Sequence, residues 1–487
     1  MTHRASAIVL GVCAAARILA GLVLGFRPFD DTYITFRYSL NLASGHGFVY
    51  NLGEPVLGTT TPLWTLVLAV FAALGAPIEQ TALVVSLACD AASAFLLFRL
   101  LTTLEFGGGI PLAGACLFLG IFDGLSLARS GMESSFFVCL VLGALAFLAE
   151  RRLIAAGVFA ALAALTRPEG ALVVVLFPAA LWHYRRDVHR RHRAIAAAAL
   201  AAIGGVWALY ATVTFGSVIP QSVRAKSAAF ADPALAAFSW SNVRLFFVTG
   251  QYGGEIYSRT YLQLAFIISL LAGLGAAWLL MSVIRGRSPD AVPRVALLMF
   301  FPAAYLAGMS LSHAFTFFPW YYAPMYPFLA ALAPIGAGAI TRWNSIRVSG
   351  MTAVLIAAQL AAAAAVKLPA DKSDWIAGYF DVSRGVPRET GVSVAAPEIG
   401  SVGWRVWPAK ILDLEGLVTP DAVGVKPQAL LKLTRPDYLV VRTDNAAGLL
   451  SALQQDEWFA RTYEMEAMRP DAYSDREFRL YKKRGEE

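Results

Sequence analysis

Two adjacent aspartates, Asp30 and Asp31, stand near the start of the first polar stretch of this chain, Arg27–Pro62, which follows one hydrophobic segment. Adjacent carboxylates near a low-dielectric surface repel each other and lose hydration, so the pKa of one of them tends to rise. Such a pair suits a general base, which takes a proton from a reacting group, or a site for a cation. An aspartate at a helix start is also a common cap, so for each residue taken alone the structural alternative stays open.

The segment that carries the aspartates predicts a helix. Pro28 fixes the backbone where the hydrophobic segment ends. In the following DDTYITFRYSLNLA, helical spacing places Asp30, Tyr33 and Arg37 on one face. The two glycines of SGHG, residues 44–47, then end the helix. These features predict an amphipathic helix that lies on the outer membrane surface and holds the carboxylates at its start.

The composition is that of a membrane protein. Of the 487 residues, 57% are hydrophobic and only 15% are charged, whereas about one quarter of a typical soluble domain is charged. Apolar runs of about 20 residues, the length that crosses a bilayer core, recur along the chain. The net charge of +7 comes from basic residues clustered in short loops, so it indicates orientation and not nucleic-acid binding. The four cysteines lie within apolar runs and are expected to be core residues.

The distribution of basic residues predicts which loops face the cytoplasm. The positive-inside rule places the N-terminus there, together with the four most basic loops, which are residues 150–152, 183–193, 285–294 and 341–347. The stretch Arg27–Pro62 and the C-terminus then lie outside. About 11 transmembrane helices are expected, one for each apolar run near the bilayer thickness, with the short run Leu63–Leu74 only partly embedded. We therefore expect a multi-pass protein of the cell inner (plasma) membrane.

The composition changes after Val366, which predicts two domains. Residues 1–366 form a transmembrane module with its first outer loop at residues 27–62, and residues 367–487 form a small C-terminal extracytoplasmic domain. The pieces VSVAAPE, YLVVRT and FRLYKK of this domain are typical of strands, and PQALLKL and AGLLSAL are typical of helices. Alternating strands and helices predict an α/β fold.

Several segments resemble one family of enzymes. FDDTYITFRYSLNLASGHGFVYNLGEPVLGTTTPLW, residues 29–64, resembles the first outer loop of the mycobacterial terminal β-(1→2)-arabinofuranosyltransferase family. ARSGMESSFF, ALAALTRPEGALVV and FGSVIPQSVRAKS resemble later segments of the same family, and APEIGSVGWRVWPAKILDLEGLV resembles outer-domain segments of related transferases. The resemblance runs in order over most of the chain.

The resemblance implies the GT-C fold, that of polytopic α-helical membrane glycosyltransferases. It further implies transfer of a sugar, D-arabinofuranose, from a polyprenyl-phosphate donor to a hydroxyl of a cell-envelope glycan or glycolipid acceptor on the outer face. Such a donor combines a lipid tail, an anionic phosphate and a sugar. Its site therefore needs cations, a carboxylate and aromatic residues close to membrane lipids.

The outer loops contain such residues. We expect Asp30 or Asp31 to deprotonate the acceptor hydroxyl. Donor phosphate and sugar are expected to contact polar residues, among which the arginine fork suits phosphate oxygens: Tyr33, Arg37, Arg129, Glu133, Arg167, Glu169, Arg224, Lys226 and His313. The candidates for acceptor binding are His46, Trp320, Tyr321, Tyr322, Trp404 and Trp407. A divalent cation (Mg²⁺, Mn²⁺ or Ca²⁺) could be shared by Asp30, Asp31 and Glu133 if their loops meet, although no ligand motif demands one.

These candidates also have structural alternatives. Arg167 and Glu169 can pair with each other and stop a helix, and Glu133 can be a first-turn charge favoured by the helix dipole. The aromatic candidates can form an interfacial belt or be buried in the C-terminal domain. His46, between two glycines, can be a turn residue.

Other functions stay open as well. The same fold could transfer mannose or a similar sugar to a lipid, protein or polysaccharide. A transporter would place broken helices and ionisable residues at mid-membrane, often within internal repeats, whereas this sequence places its ionisable residues in the outer loops. A non-catalytic scaffold, with the C-terminal domain binding a partner, is the third alternative.

Overall fold

The computed structural model describes residues 3–107, 109–229, 259–286, 291–311, 318–365, 374–443, 448–471 and 476–485. The chain divides into two compact units. The first comprises Met1–Phe26, Ala82–Trp207 and Asp232–Leu368, and the second comprises Arg27–Thr81, Ala208–Ala231 and Pro369–Glu487. The second unit therefore combines the polar stretch that carries the two aspartates with the C-terminal part of the chain.

The secondary structure is mostly helical. The helices are α1 (His3–Leu24), α2 (Asp30–Ala43), α3 (Pro62–Ala73), α4 (Ile78–Thr103), α5 (Ile110–Gly120), α6 (Phe122–Ala128), α7 (Ser134–Ala149), α8 (Leu153–Thr166), α9 (Ala171–His183), α10 (Arg190–Phe215), α11 (Gln221–Ala229), α12 (Arg259–Ile284), α13 (Ala291–Leu311), α14 (Tyr326–Ile340), α15 (Ser345–Ala365), α16 (Asp374–Val382), α17 (Ile399–Arg405), α18 (Pro427–Thr434), α19 (Leu449–Gln454) and α20 (Glu457–Thr462). The strands are β1 (Ser393–Ala396), β2 (Lys410–Asp413), β3 (Tyr438–Arg442), β4 (Tyr463–Pro470) and β5 (Glu477–Lys483).

The long apolar helices are those of a polytopic membrane protein. Within the described ranges, six helical segments are long and apolar enough to cross a membrane, and the bent pair α5–α6 would make a seventh. A bilayer core about 30 Å thick needs about 20 helical residues. Helix α3, with 12 residues, is therefore too short to cross by itself. The expected total of about 11 spans stays a prediction, since α7, α8 and α9 are also apolar but shorter than a full span, as is the apolar part of α15, Ser345–Ala361.

A buried ion pair joins α1 to α4 in the first unit. Nε and Nη2 of Arg17 donate to Oδ2 of Asp90 at 3.0 and 2.7 Å. Nη1 of Arg17 donates to the carbonyl oxygens of Leu119 and Ile121 at 3.0 and 2.9 Å. These carbonyls lie where α5 gives way to α6 with a bend of 58°. Because a bend interrupts the helical hydrogen bonds, and unsatisfied backbone groups are costly in an apolar interior, Arg17 stabilises both the bend and the buried Asp90.

The second unit contains a five-stranded sheet in the order β2-β1-β3-β5-β4. β1 pairs in parallel with β2 and β3, placing Val394 opposite Ile411 on one side and Tyr438 on the other. β5 pairs antiparallel with β3 and β4. Helices α18–α20 contribute Leu431 and Phe459, among others, to an apolar cluster built on the sheet. The small C-terminal α/β domain predicted from the sequence is thus observed.

Candidate active site

Helix α2, which carries the two aspartates at its start, is largely buried. Ten of its 14 residues are buried, so the predicted amphipathic helix on the membrane surface is not what forms. Its polar side chains are satisfied inside the protein. The Tyr38 hydroxyl donates to the carbonyl of Val56 at 2.6 Å, and the Ser39 hydroxyl donates to the carbonyl of Thr65 at 3.0 Å. Buried polar groups with such partners need no water, which is why the polar residues of α2 do not mark an exposed face.

Both carboxylate oxygens of Asp30 accept hydrogen bonds from the residues at the start of α17. Oδ2 accepts from the backbone N–H of Gly400 at 2.8 Å, and Oδ1 accepts from the backbone N–H and the hydroxyl of Ser401 at 2.7 and 2.5 Å. A Cβ at position 400 would overlap the backbone of Asp30, so this approach requires glycine. Burial, together with the smaller effect of the charge of Asp31, raises the pKa of Asp30 to about 6, and the hydrogen bonds from Ser401 and Gly400 oppose the shift. Asp30 therefore fixes the start of α2 to the C-terminal domain.

Asp31, the neighbouring aspartate, is not held in this way. Its side chain is half-buried, and no hydrogen bond or ion pair joins it to another residue in the described part of the chain. Its negative charge helps to raise the pKa values of three nearby acids, Asp30, Glu398 and Glu415. Of the two adjacent aspartates, Asp31 is the one whose oxygens can reach a bound molecule.

Two further glutamates follow the carboxyl ends of parallel strands. Glu398 comes shortly after β1, and Glu415 comes shortly after β2. In open sheets of this kind, ligands bind outside the carboxyl ends of the strands. Burial, and then the charges of Asp30, Glu415 and Asp31, raise the pKa of Glu398 well above its ordinary value, although Arg442 opposes the shift. Neither glutamate is among the site residues predicted from the sequence.

Glu415 is both surrounded by protein and reachable from solvent. Burial, followed by the charges of Asp413 and Asp31, raises its pKa to about 7, and the charge of Lys226 opposes the shift. Its side chain is nevertheless exposed. Glu415 is therefore accessible to a bound molecule.

Lys226 supplies a positive charge next to these acids. Its helix, α11, is attached at its start, where the backbone N–H of Gln221 donates to the carbonyl of Leu57 at 2.7 Å. The Gln221 amide Nε2 donates to the carbonyl of Gly416 at 3.1 Å, the residue after Glu415. Lys226 lies further along α11 and is half-buried. The sequence-predicted Lys226 and Asp31 thus belong to one set of charges with Glu415.

Arg37, predicted to bind the donor, is fully buried at 0% exposure. Its Nε donates to the carbonyl of Tyr50 at 2.9 Å, Nη2 donates to the carbonyl of Ala409 at 2.6 Å, and Nη1 donates to the carbonyl of Gly403. The guanidinium carbon lies 4.6 Å from the centre of the Tyr50 ring. The guanidinium therefore ties α2 to the C-terminal domain, and contact with the donor stays a prediction.

The aromatic candidates of the second unit also pack against α2. The ring centres of Tyr33 and Phe36 lie 5.8 and 5.9 Å from that of Trp404. Trp407 Nε1 donates to Oδ1 of Asn41 at 2.8 Å. Both tryptophans are half-buried. These contacts agree with the structural alternative for Trp404 and Trp407, and acceptor binding stays a prediction.

In the first unit, Arg167 bonds to two carboxylates. Its Nη1 lies 2.8 Å from Oε1 of Glu133 and its Nη2 lies 2.9 Å from Oε1 of Glu169. The guanidinium carbon lies 5.5 Å from the centre of the Tyr321 ring. The pairing of Arg167 with Glu169 was one of the alternatives from the sequence, and the structure adds Glu133. The cluster holds one guanidinium against two carboxyl groups, so it has no excess positive charge with which to attract phosphate.

Arg129, another predicted phosphate ligand, contacts the end of α1. Its Nε donates to the carbonyl of Gly25 at 2.7 Å and its Nη2 donates to the carbonyl of Leu24 at 2.5 Å. An arginine at the end of a helix satisfies carbonyls that lack intrahelical partners and interacts favourably with the helix dipole.

The remaining predicted residues belong to both units. Trp320 and Tyr322 are buried in the first unit, and Tyr321 is half-buried there. His46 is exposed in the turn after α2, and Arg224 is exposed and donates to the Ser217 hydroxyl at 2.8 Å. His313 lies outside the described residues.

Over the described ranges, no three His, Cys, Asp or Glu side chains lie where they could hold a metal ion. The divalent cation expected to be shared by Asp30, Asp31 and Glu133 stays a prediction.

Comparison with solved structures identifies the fold. The chain is similar to the crystal structure of ArnT from Cupriavidus metallidurans bound to undecaprenyl phosphate, with a TM-score of 0.57 and 14% identity over 99% of this chain and 98% of that one. The predicted GT-C fold is thus confirmed: this is a polytopic helical membrane protein of that fold. A weaker likeness, with a TM-score of 0.42 and 13% identity, covers 98% of this chain and 47% of the arabinosyltransferase EmbB from Mycobacterium smegmatis. No protein-family model and no curated protein sequence matches the chain.

Proposed function

We propose that this protein is a membrane glycosyltransferase that moves a sugar from a polyprenyl-phosphate donor to an acceptor hydroxyl. One observation carries the proposal: Asp30 is bound through both of its oxygens, whereas Asp31 beside it is accessible and unbound. A base whose backbone is fixed while its own oxygens stay available is suited to proton transfer. The likeness to ArnT, whose structure contains undecaprenyl phosphate, supports the class of donor.

In the proposed reaction Asp31 accepts the proton of the acceptor hydroxyl. The hydroxyl oxygen attacks the anomeric carbon of the donor sugar and forms the new glycosidic bond. The bond between that carbon and the phosphate oxygen breaks, and polyprenyl phosphate leaves with the bonding electrons. Asp31 then releases its proton to water.

We assign the donor phosphate to Lys226. Lys226 is half-buried. Its charge opposes the rise in the pKa of Glu415, so it acts on the acidic groups around Asp31. A cation at this place would stabilise the charge that develops on the leaving phosphate. Arg37 and Arg129 already donate to backbone carbonyls, and Arg167 is paired with carboxylates. We therefore assign positioning roles to these three arginines.

For the sugar we favour D-arabinofuranose, and for the acceptor a cell-envelope glycan hydroxyl. Both rest on the resemblance of residues 29–64 to the first outer loop of the arabinofuranosyltransferase family. A donor panel tests this directly. The full chain in liposomes would be given radiolabelled polyprenyl-phosphate arabinose, polyprenyl-phosphate mannose and a nucleotide sugar in turn, and release of the lipid phosphate would be measured.

We expect turnover with polyprenyl-phosphate arabinose. Turnover with the mannose donor alone would retain the donor class and change the sugar. Turnover with the nucleotide sugar, or with none of the three donors in the presence of cell-envelope acceptors, would contradict the proposed function.

A further inference from the structure

The connection between α9 and α10 is the most basic surface segment of the first unit. We call residues 182–193 the basic hairpin. They contain five arginines and one aspartate, which give a formal net charge of +4 with histidine neutral. The arginines are Arg185, Arg186, Arg190, Arg191 and Arg193, and all but the half-buried Arg193 are exposed.

Contacts with the α7–α8 turn hold the basic hairpin in place. Tyr184 is buried at 8% exposure, and the Arg151 guanidinium carbon lies 5.8 Å from the centre of its ring. Nη1 of Arg151 lies 3.4 Å from Oδ2 of Asp187. The hairpin is therefore attached through Tyr184 and Asp187, and its arginines take no part in these contacts.

The arginines of the hairpin differ from others in the same unit. Arg99 pairs with Glu150 at 2.6 Å and Arg151 pairs with Asp187 at 3.4 Å. In contrast, no ion pair joins any of the five hairpin arginines to a carboxylate of the described residues. Orientation in the membrane requires only that basic residues be present, whereas five unpaired guanidiniums on one short segment form an uncompensated anion-binding surface.

An exposed tryptophan indicates which kind of anion this surface binds. Trp182 is 66% exposed, and the guanidinium carbon of Arg185 lies 3.7 Å from the centre of its ring. Helix α10 begins within the hairpin and is apolar enough to cross a membrane. Tryptophan is enriched at headgroup level, and arginine clusters directly beside a transmembrane helix bind anionic lipids.

We propose that the basic hairpin binds the phosphates of anionic phospholipids at the membrane face where α9 and α10 are joined. The guanidinium forks donate to phosphate oxygens, and Trp182 lies among the headgroups. An acidic protein could be attracted by the same charges, but it would not require an exposed tryptophan next to a spanning helix. This inference does not depend on the proposed glycosyltransferase activity.

The test is native mass spectrometry of the full chain, released from micelles that contain either phosphatidylglycerol or phosphatidylcholine. We expect the wild-type protein to retain phosphatidylglycerol selectively, and less of it as ionic strength rises. The variant R185Q/R186Q/R190Q/R191Q should bind phosphatidylglycerol more weakly by roughly tenfold or more, since each basic residue near an anionic surface contributes about fivefold. The matched control R435Q/R461Q/R469Q/R484Q removes four exposed arginines from the C-terminal domain and should bind as the wild type does.

A second variant covers the case in which loss of four charges prevents correct insertion. R185K/R186K/R190K/R191K keeps the charges that orient the chain, and it should keep the selectivity for phosphatidylglycerol with reduced affinity. Equal retention of the two lipids by the wild-type protein would overturn the proposal. So would phosphatidylglycerol binding by the glutamine variant that equals that of its control.

Discussion

The Oδ1 atom of Asp30 accepts two hydrogen bonds from Ser401, one from the backbone N–H at 2.7 Å and one from the hydroxyl at 2.5 Å. The two residues are 371 positions apart in the chain. The start of α2 is therefore set by the C-terminal domain, and so is the position of Asp31.

Replacing Asp30 by asparagine should destabilise the protein and change the pH dependence of its stability. An amide has one oxygen to accept from Ser401, but its NH₂ group would face the N–H of Gly400, and leaving a buried donor unsatisfied costs about 1–3 kcal/mol. The folded-state pKa of Asp30, about 6, lies above its ordinary 3.8. The folded protein therefore binds the extra proton between these values, and the wild type loses stability as pH rises from about 4 to 6.

In the Asp30→Asn variant, the loss of stability as pH rises from about 4 to 6 should be smaller than in the wild type. Thermal unfolding from pH 4 to 7 measures it, with the exposed Asp421 replaced by asparagine as the matched control. If both variants follow the wild-type pH dependence, the buried carboxylate of Asp30 does not have the raised pKa on which this prediction depends.

Glu415→Gln should change stability in a pH-dependent way. The pKa of Glu415, raised from 4.5 to about 7, means that the folded protein favours its neutral form. The contribution of Glu415 to stability is present below pH 4.5 and is lost as pH rises through 7. The variant should therefore gain in melting temperature relative to the wild type between pH 5 and pH 8. Glu389→Gln, at an exposed site, should show no such change, and a pH-independent difference for Glu415→Gln would refute the assignment.

Arg37→Met should lower the stability of the second unit. The substitution leaves the carbonyls of Gly403 and Ala409 without this donor, whereas that of Tyr50 keeps the Asn41 amide. Each buried unsatisfied acceptor costs about 1–3 kcal/mol. We expect faster proteolysis of the C-terminal domain and a lower melting temperature. Arg405→Met changes a half-buried arginine on α17 and should have a small effect. Comparable protease resistance in the two variants would show that Arg37 is not needed to hold α2.

The Arg17–Asp90 pair should behave as a coupled unit. Removing either partner leaves a buried charge alone, which costs about 3–5 kcal/mol. The double variant R17M/D90L leaves no buried charge and should cost less than the sum of R17M and D90L. Unfolding of all three variants in the same detergent measures the coupling. Strict additivity would show that the two side chains do not share the interaction.

The general architecture could be predicted from the sequence because it depends on local composition. Apolar runs identify membrane helices, and the pieces YLVVRT and FRLYKK correspond to β3 and β5. β2, formed by KILD, was not predicted. β4 was not predicted either, because most of its side chains are exposed and charged residues interrupt the apolar pattern. Short or exposed strands form through pairing with neighbours that the local sequence does not show.

The site was predicted only in part for the same reason. The pair Asp30 and Asp31 is evident from residue type and adjacency. Its separation into one bound and one accessible carboxylate depends on Ser401, which no local pattern connects to it. Glu398 and Glu415 become candidates only when β1 and β2 align in parallel and bring their carboxyl ends to one edge of the sheet. The burial of Arg37 likewise depends on Ala409, 372 positions away.

The most direct test of the proposed mechanism is a single-turnover measurement on Asp31→Asn with polyprenyl-phosphate arabinose already bound. Loss of a general base should slow sugar transfer by roughly 10² to 10⁴-fold, while donor binding and melting temperature stay close to those of the wild type and of Asp421→Asn. Transfer by Asp31→Asn at the wild-type rate would contradict the assignment of Asp31 as the base.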